Sequence, residues 1–402
     1  MATSSSPSEV KVPLHRNPKA RALAFQAIVV IVVGWLVYSI LSNTIANLEA
    51  RGIKTGVSFF DSIAPFALPL EFSTFIDYEL GETTYWEIFL IGIQNTILVS
   101  IFGIFATTIL GFVVGIARLS PNWLLSKIAE VYIEVIRNTP LLLQLFFWNF
   151  AVFLPAMPAA RESLTWFDGA VVANKTGLTV PEPIVVDHTL FALALVIFVA
   201  LVWHHVRSTR NARRHFEETG EIRSLLLPVG GAWLVGLVAL WFILDRSITF
   251  EYPVLGTFNY SGGMTFILEG FVLWFGLTLY TAAFIAENVR GGVQAVPKGQ
   301  TEAARALGFH WLKTLQLIII PQAMRVIIPP TISQYLNLTK NSSLAVAVAY
   351  PDIVNVWAGI SLNQTGQALI IIAMTIAVYE ILSLLTSAIL NYYNSRVQLT
   401  ER

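Results

Sequence analysis

The chain has 402 residues, 55% of them apolar and only 12% charged, with a mean hydropathy of +0.66 and a formal net charge of zero. That balance describes a membrane protein with little soluble mass, and bulk charge gives no reason to expect nucleic acid as a partner. Cysteine is absent, which excludes disulfides, thiolate metal sites and a cysteine nucleophile.

Residues 1–22, rich in Ser, Pro, Lys and Arg, read as a mobile tail. The apolar run at 23–45 is longer than a signal-peptide core and has no persuasive small-residue cleavage site, so it is expected to remain as a membrane helix. Seven further spans follow from hydropathy, at 88–117, 138–157, 189–206, 224–244, 264–287, 322–349 and 367–393. With the N-terminus inside, the loops at 118–137, 207–223 and 288–321 and the C-terminal tail fall inside, while 46–87, 158–188, 245–263 and 350–366 fall outside. Of the 25 Lys and Arg, 19 then lie inside, five outside (Arg51, Lys54, Arg161, Lys175 and Arg246), and Lys340 alone lies deep within a span. This bias is what the positive-inside rule requires. The first outer loop is acidic, with Asp61, Glu71, Asp77, Glu79, Glu82 and Glu87.

Between the second and third spans, Ser120 can cap and Pro121 can open an amphipathic helix. Its Trp123, Leu124, Ile128, Val131, Tyr132, Val135 and Ile136 share one face, and Lys127, Glu130, Glu134 and Arg137 the other, as on a helix lying at the inner membrane surface. Further on, Arg207, Arg210, Arg213, Arg214 and Arg223 suit topology and lipid headgroup contact, and Gly230, Gly231 and Gly236 suit close helix packing. His204, His205 and His215 have no H-E-x-x-H arrangement and read as headgroup-level residues, so no metal site is expected.

The one long polar passage is Glu287 to Pro321. Pro297 is placed to open a helix of about three turns, Glu302 falls in its first turns, and Gly308 is placed to end it. Ala303, Ala304, Ala306 and Leu307 form a small apolar side for a partner to approach, and Glu302 and Arg305 can pair one turn apart. A second short helix, His310 to Ile319, is expected to leave Gly308 at an angle before Pro321 restarts the chain.

Polar groups within spans are costly and therefore mark a solute path. Lys340 lies about 22 Å along a helix begun at Arg325, at about 1.5 Å per residue, and Asn341, Ser342 and Ser343 after it favour a local break that frees backbone groups for a zwitterion. The alternatives for Lys340 are an ion pair with Glu380, halfway along the eighth span, or snorkelling to the surface. Gln144 and Asn337 are weaker path candidates, with Asn149, Tyr335, Asn95 and Thr96. No G-x-x-x-x-G-K-[S/T] occurs, so the chain carries no phosphate-cradling loop for ATP.

Glu302-Ala303-Ala304, then Gly308, then Ile318-Ile319-Ile320-Pro321 resembles the EAA loop of ATP-binding-cassette importer permeases, with Ile320 where that family usually has Leu. Tyr132 to Phe147, Arg290-Gly291-Gly292 through Lys298-Gly299-Gln300, and Asn337 to Leu344 resemble the polar amino-acid subgroup of the histidine and glutamine type. The extra first helix and loop (23–87) and the insert (158–263) resemble the larger permease subunit of general L-amino-acid importers.

The resemblance implies an all-α membrane protein of eight spans, with a five-helix permease core in two parts, 88–157 and 264–397, and a short tail at 398–402. It implies an inner-membrane subunit importing polar L-amino acids, with Glu302, Ala303, Ala304, Arg305, Leu307 and Gly308 coupling to a cytoplasmic ATPase dimer that itself holds ATP and Mg²⁺. A second, shorter permease subunit, a periplasmic amino-acid-binding protein and membrane lipid are the other implied partners. The rival readings are a secondary transporter driven by an ion gradient, with Lys340 and Glu380 as coupling residues, and a non-transporting membrane scaffold.

Overall fold

The computed structural model describes residues 18–50, 52, 56–68, 76, 78–221, 224–257 and 259–397; the expected N-terminal tail up to residue 17, and Arg223, lie outside them. Among the described residues, seven helices are long and apolar enough to cross a membrane, or eight if one bent pair counts as a span. They are α1 (Pro18–Ala50), α2 (Tyr85–Arg118), α5 (His188–Thr219), α6 (Leu227–Ser247), α7 (Leu268–Gln294), α9 (Trp311–Val348) and α11 (Ala368–Val397). The bent pair is α3 (Trp123–Asn138) with α4 (Leu141–Ala156), which meet at 107°.

Local chemistry sets these ends. Thr84 and Glu87 form a capping box at the start of α2, the Thr84 hydroxyl accepting from the Glu87 amide and the Glu87 carboxylate accepting from the Thr84 amide at 2.7 Å. Asn122, and not Ser120, caps α3, its Oδ1 accepting from the Leu125 amide at 3.2 Å, while the Ser120 hydroxyl shapes the preceding turn by accepting from the Asn122 amide. Asp187 caps α5 and Gly220, at φ +72°, ends it.

The expected third span is shorter than a bilayer core. At about 1.5 Å per residue α4 is about 24 Å long against about 30 Å of hydrocarbon, and its middle, Phe147–Phe153, widens into π turns. The seventh span differs the other way. No separate helix stops at Ile319 before Pro321; α9 runs on from Trp311, because π turns at Leu315–Ile319 open the helix just where the proline ring and its missing N–H would otherwise break it. The expected loop at 350–366 is largely helical, α10 comprising Ile353–Ser361 and Leu362–Thr365.

At the end of the molecule away from the 288–321 loop, the connecting segments form small antiparallel sheets that hydropathy did not announce. Strands β1 (Leu164–Trp166), β2 (Val171–Asn174), β3 (Gly177–Val180) and β8 (Met264–Ile267) make one four-stranded sheet in that order. Two ribbons, β4 (Glu182–Val185) with β5 (Ile248–Glu251) and β6 (Val254–Leu255) with β7 (Tyr260–Ser261), complete it.

The core forms around α2 and α7, which run parallel and in close contact. A Cβ on Gly111 would sit 2.6 Å from Ile285 Cγ2, and one on Gly115 would sit 2.7 Å from Val289 Cβ, so the two backbones approach as only glycine allows. One buried cluster packs Leu141 and Leu145 of α4 on Val272, Leu273 and Leu277 of α7 and Leu338 of α9. A second joins Ile88 and Ile91 to Ile353, Trp357 and Ile371, with Phe59 stacked on Trp357 at 5.8 Å. By contrast no described side chain of α1 is buried, and α5 and α6 pack on each other, Gly236 against Leu201, with their tie to the rest through the strands. Gly111→Leu is expected to cost at least about 1–3 kcal/mol by overpacking, read as a lower melting temperature of the detergent-purified chain; a melting temperature equal to the parent's would contradict this packing.

Candidate functional site

The 288–321 passage begins with two more turns of α7, to Gln294. A Cβ on Gly292 would come 2.3 Å from Ile327 Cγ1, so α7 and α9 are pressed together on either side of the loop. Between them stands α8 (Lys298–Ala306), opened by Pro297. It ends in a Schellman turn: Gly308 takes φ +81°, its amide donates to the Arg305 carbonyl at 2.9 Å, and the Phe309 amide donates to the Ala304 carbonyl at 3.0 Å.

The alanines divide. Ala304 is buried and α8 packs through it onto the π turns of α9, where Thr314, Leu315 and Ile319 are also buried. It therefore anchors the helix and does not belong to an accessible face. Glu302, Ala303, Arg305, Ala306 and Leu307 are exposed, Leu307 to 77%. Glu302 and Arg305 form no ion pair among the described residues. The result is a short helix fixed along one side, with small residues and an unsupported leucine on the other. An exposed leucine beside alanines suits a groove on another protein.

Beside the loop, α3 is strapped to α7. Tyr132 Oη donates to the Leu279 carbonyl at 2.6 Å, and the Arg137 guanidinium lies 5.1 Å from the centre of the Phe284 ring. Arg118 pairs with Glu130 at 3.2 Å, and Arg290 Nε donates to Glu287 at 2.9 Å. Force applied at the loop thus meets α3, α7 and α9 as a braced unit.

The expected path residues separate into two groups. On α9, Asn337 and Lys340 are exposed along one stripe with Ser333, while Ser342 is buried and Asn341 and Ser343 are half-buried. The helix changes at the expected place: α-helical geometry ends at Asn341, a tighter 3₁₀ segment runs from Ser342 to Val348, and Ala349 adopts φ +62°. Glu380 is exposed among Ile376, Ile381 and Leu384, and it forms no ion pair with Lys340 among the described residues. Gln144 is buried and braces the α3–α4 bend, its Nε2 donating to the Ile136 and Thr139 carbonyls at 2.9 Å each; its Oε1 is buried without a partner.

Sequence reasoning missed Asp352 and Tyr379, around which the expected Asn95, Thr96 and Ser342 gather where α2, the 3₁₀ segment, α10 and α11 meet. Asp352 is fully buried there. Its Oδ1 accepts from the Asn355 amide at 2.8 Å and its Oδ2 accepts from the Tyr379 hydroxyl at 3.2 Å, and that hydroxyl also interacts with Ser342 and Thr96. Asn95 Nδ2 donates to the Pro351 carbonyl at 2.9 Å, and the Ile353 amide donates to Thr96 Oγ1 at 3.2 Å. Burial pushes the Asp352 carboxyl up to about 7, against the hydrogen bonds that lower it. The signal was a single acid in an otherwise apolar stretch, within the segment 350–366 that hydropathy reads as an outer loop. Replacing Gly308 with Ala should cost about 1–2 kcal/mol for the left-handed conformation, seen as faster amide exchange at position 308 and at Phe309; unchanged exchange would show the turn is not held by glycine.

Residues 107–399 match the family model described as "Binding-protein-dependent transport system inner membrane component". The chain is 45% identical over 393 residues, 96% of each chain, to YhdX of Escherichia coli (strain K12), whose name reads "Putative amino-acid ABC transporter permease protein". It is 41% identical to AapQ of Rhizobium johnstonii, a general L-amino acid transport system permease protein, over 96% of this chain and 94% of that one. A solved chain, from the crystal structure of an amino acid ABC transporter with histidines, is 18% identical with a TM-score of 0.46, over 78% of this chain and 95% of that one. With a family model spanning most of its length and relatives matched nearly end to end, the chain belongs to the binding-protein-dependent transport system inner membrane components.

Proposed function

We propose that this chain is the larger permease subunit of an ATP-driven importer of polar L-amino acids. The observation that carries the reading is α8: a short helix clipped by Gly308, anchored through Ala304, and presenting Ala303, Ala306 and Leu307 outward between two helices that cross the membrane. An ATPase that closes on ATP and Mg²⁺ would grip this face and move α7, α8 and α9 together. The loop end is cytoplasmic in this reading, as the distribution of Lys and Arg requires, and both termini lie on that side.

The exposed stripe of Ser333, Asn337 and Lys340 supports a second permease subunit. Lys340 has no ion-pair partner among the described residues; at membrane depth a Lys facing lipid is costly, whereas facing a wet path enclosed by a partner it is not. The relatives support the substrate class: AapQ is named for general L-amino acid transport, and BztB of Rhodobacter capsulatus, 37% identical over 100% of both chains, for glutamate, glutamine, aspartate and asparagine. A periplasmic binding protein delivers the amino acid at the strand-bearing end, and the ATPase supplies all phosphate chemistry.

The test is uptake of labelled glutamate, glutamine and histidine into vesicles holding the subunit with its partners and internal ATP. Glu302→Lys and Gly308→Asp should each reduce uptake by at least about tenfold, as loss of roughly 1.4 kcal/mol or more of coupling implies, with the protein still in the membrane. Uptake that persists without ATP, collapses with an ionophore and ignores both changes would replace this reading with a secondary transporter.

A further inference from the structure

We propose that Asp352 is a positioning residue for transport: through Tyr379 it holds the break in α9 at Ser342 closed against α2, and opening that end of the path carries its carboxyl into water. The proposal rests on the reading of the chain as a permease subunit.

The geometry makes Asp352 a junction. Tyr379 on α11 donates to its Oδ2 at 3.2 Å and touches Ser342 of α9 and Thr96 of α2 through the same hydroxyl. On the other flank, Asn95 holds the Pro351 carbonyl at 2.9 Å, Thr96 receives the Ile353 amide at 3.2 Å, and Tyr350 Oη donates to the Asn95 carbonyl at 3.3 Å. A Cβ on Gly92 would fall 2.9 Å from Ile353 Cα, so this turn lies directly on α2. Release of Asp352 would therefore free the 3₁₀ segment and the turn together.

The same arrangement is poorly suited to a charge. A carboxylate has about four acceptor sites; here the Asn355 amide and the Tyr379 hydroxyl serve it, with further backbone hydrogen bonds at Val354 and at its own residue, and burial still outweighs them. Facing it are Asn95 and Thr96 from α2, Ser342 from α9, Tyr379 from α11, and Tyr350 and Asn355 from its own segment; of these only the tyrosines titrate. Burial raises the Tyr350 hydroxyl, so it stays neutral. No cation forms an ion pair with Asp352 among the described residues. Beside it, Ala349 sits in the left-handed region without being glycine, a strained conformation. A buried carboxylate with no cation beside it is relieved by taking a proton or by reaching water.

The direction with pH follows. In the closed form the carboxyl titrates near 7, whereas in water it titrates near its ordinary value of about 4. Between those values the closed form holds a proton that the open form has lost, so opening releases a proton and rising pH favours opening. Below about 4 both forms are protonated and above about 7 neither is, so the bias changes only within that window.

The test uses the assembled transporter with its ATPase and second permease in lipid nanodiscs. Infrared difference spectra across pH should show a protonated-carboxyl band with a midpoint near 7, absent in Asp352→Asn, and moved to higher pH in Tyr379→Phe, which removes a donor to the charged form. In proteoliposomes, parent uptake should change several-fold between about pH 6 and about pH 8, and Asp352→Asn should flatten that profile. A purely structural role would leave the pH profile of Asp352→Asn like the parent's, and that result overturns the proposal. A band confined to the ordinary carboxylate range also overturns it while leaving the permease reading intact. Absence of ATP-driven uptake at every pH, with the band in place, overturns the permease reading and with it the role in transport. Should Asp352→Asn not assemble, Tyr379→Phe decides: a raised midpoint supports the assignment and an unmoved one overturns it.

Discussion

Close contact between α2 and α7 is the constraint on which the rest of the molecule depends. In hydrocarbon there is no hydrophobic gain from bringing two apolar helices together, so association relies on dispersion over closely fitted surfaces. Gly111 and Gly115 remove the side chains that would hold the axes apart, and Ile285 and Val289 fill the space. Once these two helices are joined, α3 finds the Leu279 carbonyl and the Phe284 ring on α7 to hold, α4 seats Leu145 against it, and α9 also packs on it.

That frame gives the loop helix its mechanical meaning. A nine-residue helix is marginal by itself in water, yet α8 is held at one end by the Gly308 turn and along its length by Ala304 on α9. The helices on either side of it meet where Gly292 faces Ile327. A partner gripping Ala303, Ala306 and Leu307 would therefore act on rigid bodies and not on a slack tether. At the opposite end, the polar cluster around Asp352 joins α2, α9, α10 and α11, so the two ends of α9 are each held by a small number of specific contacts.

The additional helices follow different rules from the core. α1 buries none of its described side chains, and α5 with α6 forms a hairpin closed at its base by the pairing of β4 with β5. Lipid satisfies their apolar surfaces, so nothing obliges them to pack on the bundle. Their register with the permease core is set by the small sheets, whose backbone pairing ties residues 164–185 to residues 248–267 across the whole insert.

Much of this was legible in the sequence because hydropathy and helix punctuation are local. The spans, the charge bias across the loops, the helix after Pro297, the glycine that ends it and the change of geometry after Asn341 all follow from residues a few positions apart. What local reasoning could not reach depended on distant neighbours. The path through Pro321 continued because wide turns before it absorbed the ring; Ala304 turned inward because α9 lies beneath it; Lys340 and Glu380 form no ion pair among the described residues. Gln144 became a brace only when α3 and α4 met at 107°. Asp352 was assigned to an outer loop on hydropathy, whereas the fold buries it under three helices. By itself the sequence determined which segments cross the membrane and where the loop helix begins and ends, since the solvent and the backbone impose those locally. Only the tertiary structure decided which polar groups are covered, paired or left facing outward, because burial belongs to the packed whole and not to any stretch of chain.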